Sequence, residues 1–134
     1  MLVRQHLPHP NRWMRFRVAV RAIESWLLAD AETLAGFLAI PRARVPSLPE
    51  DEPDPKATLV SLARYSRRSA IVKDMVPRPG SGAKVGPAYT ARLIEYVMAA
   101  GSAQWRPEVA AQRSDSLRRC IAALHTLQHW TPAP

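Results

Sequence analysis

Residues 13–30, WMRFRVAVRAIESWLLAD, decide how the fold is read, because the apolar period changes within them. Over 13–20 the alternation is strict. Met14, Phe16, Val18 and Val20 fall on one side, Arg15, Arg17 and Ala19 on the other. A period of two is that of a strand with one buried face. From Ile23 the spacing becomes helical, with Ile23, Trp26 and Leu27 on one face and Glu24 at the junction. A strand running into a helix with a carboxylate at the join leads to an expected α/β fold class, mostly helical, with one clear strand at about 13–20 and four to five helices.

The helices follow in order. Asp30 is placed to N-cap AETLAGFL, whose Leu34, Phe37 and Leu38 share a side. Five prolines between residues 41 and 55 make IPRARVPSLPEDEPDP an extended linker, which also carries Glu50, Asp51, Glu52 and Asp54. Asp54-Pro55 reads as an N-cap and N1 proline opening a helix to roughly Arg67. SAIVKDMV (69–76) is a weaker strand candidate. A glycine-rich loop precedes a helix expected from Pro87, where Tyr89, Leu93, Tyr96 and Val97 recur at helical spacing. A break at Gly101 leads to a last helix N-capped by Ser114, with Leu117, Cys120, Ile121 and Leu124 inward. The expected division is an N-terminal extension or helix remnant over 1–12, one domain over 13–128 and a tail over 129–134. A half-buried strand needs neighbours for its backbone groups. Its partners are therefore expected either in a weakly signalled strand or outside this chain.

The chain has 134 residues, 47% hydrophobic and 22% charged, the balance of a single water-soluble domain. No run of about 18 apolar residues offers a membrane span. The first residues lack the apolar core of a secretory signal. One cysteine, Cys120, forms no internal disulfide, so a cytoplasmic location is expected. The net charge of +8 suggests contact with DNA or RNA. Sixteen of the nineteen basic residues are arginine in a chain rich in alanine and proline, a bias that GC-rich coding would also give.

Four segments, VAVRAIESWLLAD (18–30), DPKATLVSLAR (54–64), RPGSGAKVGPAYTARLIEYV (78–97) and WRPEVAAQRSDSLRRCIAAL (105–124), resemble in order a bacterial family known as domain of unknown function 4276, regarded as Toprim-like. The resemblance implies the C-terminal portion of a metal-dependent nuclease subunit that acts with an ATPase in defence against invaders. It also implies a Mg²⁺ site built from a Glu and an Asp-x-Asp pair upstream of residue 13. This chain has no acid before Glu24, and Ala22 stands where family members often carry one. The implied enzyme is accordingly incomplete here, with a late start codon as one origin. The alternative expectation is a non-catalytic module that docks on an ATPase or pairs with a second copy.

Candidate site residues follow from this. Glu24, just past a strand end, is the candidate catalytic carboxylate and metal ligand. Its structural alternative is dipole complementation or an ion pair with an arginine such as Arg21. Asp30 would be a distant second ligand, although six residues of helix put the two carboxylates on different faces. Arg78, Gly80, Gly82, Lys84 and Gly86 form a loop able to bring backbone amides to a phosphate, without the ending of a Walker A loop. Its bland reading is a surface turn. Arg64, Arg67, Arg68 and Lys73 form a basic run around a helix end, with Arg67 and Arg68 as candidate phosphate contacts; a solvated face explains them equally well, as it does Arg113, Arg118 and Arg119. Trp26 and Trp105 read as core or interface anchors rather than base-stacking platforms. His125 and His129 have HxxxH spacing without a third ligand, and Cys120 lacks a histidine partner.

Overall fold

The computed structural model of the chain describes residues 23–128. Seven α-helices are seen there: α1 (Glu24–Leu28), α2 (Ala31–Leu38), α3 (Pro55–Arg64), α4 (Ser69–Met75), α5 (Tyr89–Met98), α6 (Pro107–Ala110) and α7 (Asp115–Gln128). Short 3₁₀ turns at Arg42–Arg44, Pro49–Asp51 and Gly101–Ala103 punctuate the connections.

The expected α/β class is overturned. The described residues contain no strand, and their buried core is built mainly from helices, with Ile40, Val45 and Val76 added from the connections. The stretch at 13–20 lies outside the described residues. The second strand candidate, SAIVKDMV, is helix α4. Its apolar residues Ile71, Val72, Met75 and Val76 fall at i, i+1, i+4 and i+5, a helical spacing, whereas a period of two would put Lys73 and Asp74 in the middle of its two faces. Ile71 and Met75, one turn apart, are both fully buried.

The core is a helical assembly in which α1 packs on α2, α3 and α6, α3 on α4, and α4 on α5. Leu28, Leu34, Leu38, Leu59, Ile71, Met75 and Tyr96 are buried to 2% exposure or less. Each large apolar side chain so buried contributes roughly 1.5–3 kcal/mol. Phe37 stacks on Tyr96 with centroids 5.1 Å apart. A second cluster joins Ala29, Ala110 and Leu117, with Trp26 and Trp105 packed against it. Both indoles also donate hydrogen bonds, Trp26 Nε1 to Ser116 Oγ at 2.9 Å and Trp105 Nε1 to the Trp26 carbonyl at 3.0 Å. They are anchors between segments far apart in sequence.

Side-chain caps open α2 and α3. Asp30 Oδ1 accepts from the Thr33 amide and Asp54 Oδ1 from the Ala57 amide. Residues 87 and 88 form a turn, so α5 starts two residues beyond Pro87. The Gly86 and Ala88 amides are held at the end of α4, donating to the Met75 and Asp74 carbonyls at 2.9 Å each. Gly86 is required by this approach: a Cβ there would sit 2.4 Å from the Asp74 carbonyl oxygen.

Candidate nucleic-acid interface

Three polar clusters organise the molecule. The first is built on Asp30, fully buried at the α1–α2 junction. Arg106 grips it twice, Nε to Oδ2 at 3.0 Å and Nη2 to Oδ1 at 2.8 Å, and the Arg106 amide adds a third bond at 3.0 Å. Burial alone would raise the Asp30 pKa. The hydrogen bonds from Arg106 and Thr33 outweigh it and leave the carboxyl below its ordinary value. Both oxygens of the residue considered as a second metal ligand are thereby occupied.

The second cluster is Glu50, which reaches from the proline-rich linker to the start of α7. Its Oε1 accepts from Ser114 Oγ at 2.5 Å, Ser116 Oγ at 2.6 Å and the Ser116 amide at 3.2 Å. Partial burial opposes ionisation, but these bonds hold the carboxyl below its usual pKa. Ser114 also caps α7 in the expected way, accepting from the Leu117 amide at 3.3 Å. Glu50 thus closes the linker over the helix start.

The third cluster contains Glu24. Its Oε1 accepts from Tyr89 Oη at 3.3 Å and lies 4.0 Å from Lys56 Nζ. The Tyr89 hydroxyl is pushed well above its ordinary pKa, first by burial and then by the charges of Glu24 and Asp54. Glu24 therefore ties α1 to the starts of α3 and α5. Among the described residues, no three His, Cys, Asp or Glu side chains come together as a metal-binding group.

The loop expected to cradle phosphate is an exposed excursion at the far end of α4 from Arg67 and Arg68. Gly80 and Gly82 adopt φ of +77° and +72°, where glycine is favoured. Three of the loop's amides, those of Ser81, Ala83 and Gly86, are engaged. Ser81 donates to the Arg78 carbonyl, Ala83 to Ser81 Oγ, and Gly86 and Ala88 to α4. At the first turn of α5 the Tyr89 hydroxyl lies within the field of Glu24 and Asp54. Arg78 and Lys84 are exposed. The expected binding set is thus split, with its glycine half and its arginine half about 10 Å or more apart across seven residues of helix.

The arginine half gains members. Helix α2 ends at Ala39, in the left-handed region with φ of 55°. That reversal turns the chain into the 3₁₀ segment carrying Arg42 and Arg44. The Ala39 carbonyl accepts from the Arg67 amide at 3.1 Å, and the Phe37 carbonyl from Arg68 Nη1 at 3.3 Å. The guanidinium carbon of Arg44 lies 3.8 Å from the ring centroid of Tyr65. These contacts place segments 39–44 and 64–68 side by side. They bring together Arg42, Arg44, Arg64, Arg67 and Arg68, every one exposed. None has a carboxylate ion-pair partner among the described residues.

Sequence reasoning singled out Arg64, Arg67 and Arg68 but missed Arg42, Arg44 and Tyr65. The signal was the absence of any acid from residues 33–49 and 55–73. The other basic run behaves differently. Arg118 and Arg119 both pair with Asp115 along α7. His125 is exposed on α7, Cys120 is half-buried there, and His129 lies outside the described residues. No helix of the described residues is long and apolar enough to cross a membrane.

No protein-family model, curated protein or solved structure matches the chain.

Proposed function

We propose that this protein binds the phosphate backbone of nucleic acid through the arginine end formed by Arg42, Arg44, Arg64, Arg67 and Arg68. The observation that carries the reading is that they lie on two neighbouring segments with no carboxylate paired to them among the described residues. Surface arginines near acids form weak exposed pairs, as Arg118 and Arg119 do. Unpaired and clustered, they create a positive field that neutralises phosphates and releases their counterions. Arg68 also complements the carbonyl end of α2, but that bond uses one of its five N–H donors.

The chain acts by binding and leaves the cutting chemistry of the resembled family unperformed. Glu24 holds a tyrosine hydroxyl beside a lysine, and Asp30 holds an arginine, so each proposed ligand already has a structural task. If an ATPase is the partner, as the resemblance implies, this chain is its nucleic-acid-binding subunit.

The test is fluorescence anisotropy with a labelled oligonucleotide at low salt. The double variant Arg67→Glu, Arg68→Glu is expected to lose binding at least tenfold while keeping its helical circular dichroism. Arg78→Glu with Lys84→Glu is expected to change affinity less than threefold. The reverse ranking would move the site to the glycine loop. Incubation with plasmid and Mg²⁺ separates binding from cutting: no cleavage is expected, and cleavage lost in Glu24→Gln would restore the nuclease reading.

A further inference from the structure

Resting on the backbone-binding reading, we infer that the arginine end takes unpaired nucleotides, with Tyr65 and Arg44 forming a platform for a base. The position of the aromatic ring carries the inference. Tyr65 is the C-cap of α3, the residue between Arg64 and the Ser66-Arg67-Arg68 turn, and it is 57% exposed. The other tyrosines serve the interior: Tyr89 and Tyr96 are 4% and 0% exposed and have hydroxyl partners at Glu24 and Thr33. Tyr65 has no hydroxyl partner within the described residues, so its ring is not set there to satisfy a buried polar group.

One ring face is covered by the Arg44 guanidinium at 3.8 Å. A guanidinium over an aromatic face is favourable and biases the ring to present its other face. The exposed ring is flanked in sequence by Arg64 and Arg67, exposed cationic side chains of the kind that contact nucleotide phosphates. Every base presents a flat π-face, so stacking on an aromatic ring is tolerant of sequence. Within a duplex that face is already stacked and closed to the protein. A platform between phosphate contacts therefore favours a strand whose bases are free, in DNA and RNA alike, because neither guanidinium nor ring reads the sugar.

Three ligands with equal numbers of phosphates test this on the 134-residue chain by anisotropy: a twelve-nucleotide oligothymidylate, the same backbone with abasic sites, and a short duplex. Oligothymidylate is expected to bind roughly tenfold more tightly than the abasic strand, the scale of one stacked base. Tyr65→Ala is expected to erase that difference, and Tyr65→Phe to keep it. The two readings fail separately. Equal binding of thymidylate and abasic strands by the unaltered protein, still weakened at least tenfold by Arg67→Glu with Arg68→Glu, overturns the base platform and leaves backbone binding standing. Affinity that falls less than tenfold under the double charge reversal overturns both. Because the abasic comparison uses the unaltered chain, the result does not depend on any variant folding.

Discussion

Replacing Asp30 with asparagine changes one oxygen for nitrogen yet is expected to be among the most damaging single substitutions in the chain. Asp30 is fully buried, and Arg106 donates three hydrogen bonds to it. The asparagine side chain would retain one acceptor for the cap of α2 but turn an amide NH₂ toward the guanidinium. Breaking a buried pair on one side costs about 3–5 kcal/mol. Water reaches Arg106, whose side chain is 34% exposed, which brings the cost to the lower end of that range or just under it. The expected loss for Asp30→Asn is about 2–3 kcal/mol, and Asp30→Ala adds about 1 kcal/mol for the lost cap. For a domain of this length that lowers Tm by roughly 10 °C. Urea unfolding followed by circular dichroism measures it. A loss under about 0.5 kcal/mol would refute the claim that this pair fastens α6 to the α1–α2 junction.

Acid should unfold the protein early. Asp30 and Glu50 both have folded pKa values below their unfolded ones. Their stabilisation is therefore complete above the ordinary carboxylate range and lost as pH falls through the depressed values, from about pH 4 downward. Urea midpoints between pH 7 and pH 3 read this, and Asp30→Asn should flatten the profile. Gly86→Ala should destabilise by more than about 2 kcal/mol because its new methyl meets backbone at 2.4 Å, whereas Gly80→Ala, in open space, should cost about 1 kcal/mol from φ alone. Comparable thermal shifts for the two would contradict that difference. Glu50→Gln should cost about 1–2 kcal/mol by weakening the bonds to Ser114 and Ser116. It should also speed hydrogen exchange in the first turn of α7, and unchanged exchange there would count against Glu50 as its cap.

Local signals in the sequence were sound where they were short-ranged. Asp30 and Asp54 cap the helices they were assigned to, Pro55 opens α3, and Ser114 caps α7. The α/β class rested on the alternation at 13–20, which lies outside the described residues, and on the weaker candidate SAIVKDMV, whose Ile71, Val72, Met75 and Val76 keep helical spacing and pack as a helix against α3 and α5. The polar clusters were illegible for another reason. Arg106 and Asp30 are 76 residues apart, and Glu50 and Ser116 are 66 apart. No spacing rule reaches that far. The arginine end was half legible: Arg64, Arg67 and Arg68 stand together in sequence, whereas Arg42 and Arg44 lay hidden in a proline-rich linker until Ala39 turned it toward Tyr65.

The most direct test of the arginine end is the salt dependence of oligonucleotide affinity. Five phosphate contacts on a single strand predict a slope of log affinity against log salt of about −3.5, and removing two of them predicts about −2. The slope should fall in this way for Arg67→Ala with Arg68→Ala, with the protein still folded. An unchanged slope in that variant, or affinity independent of salt in the unaltered chain, would contradict the account.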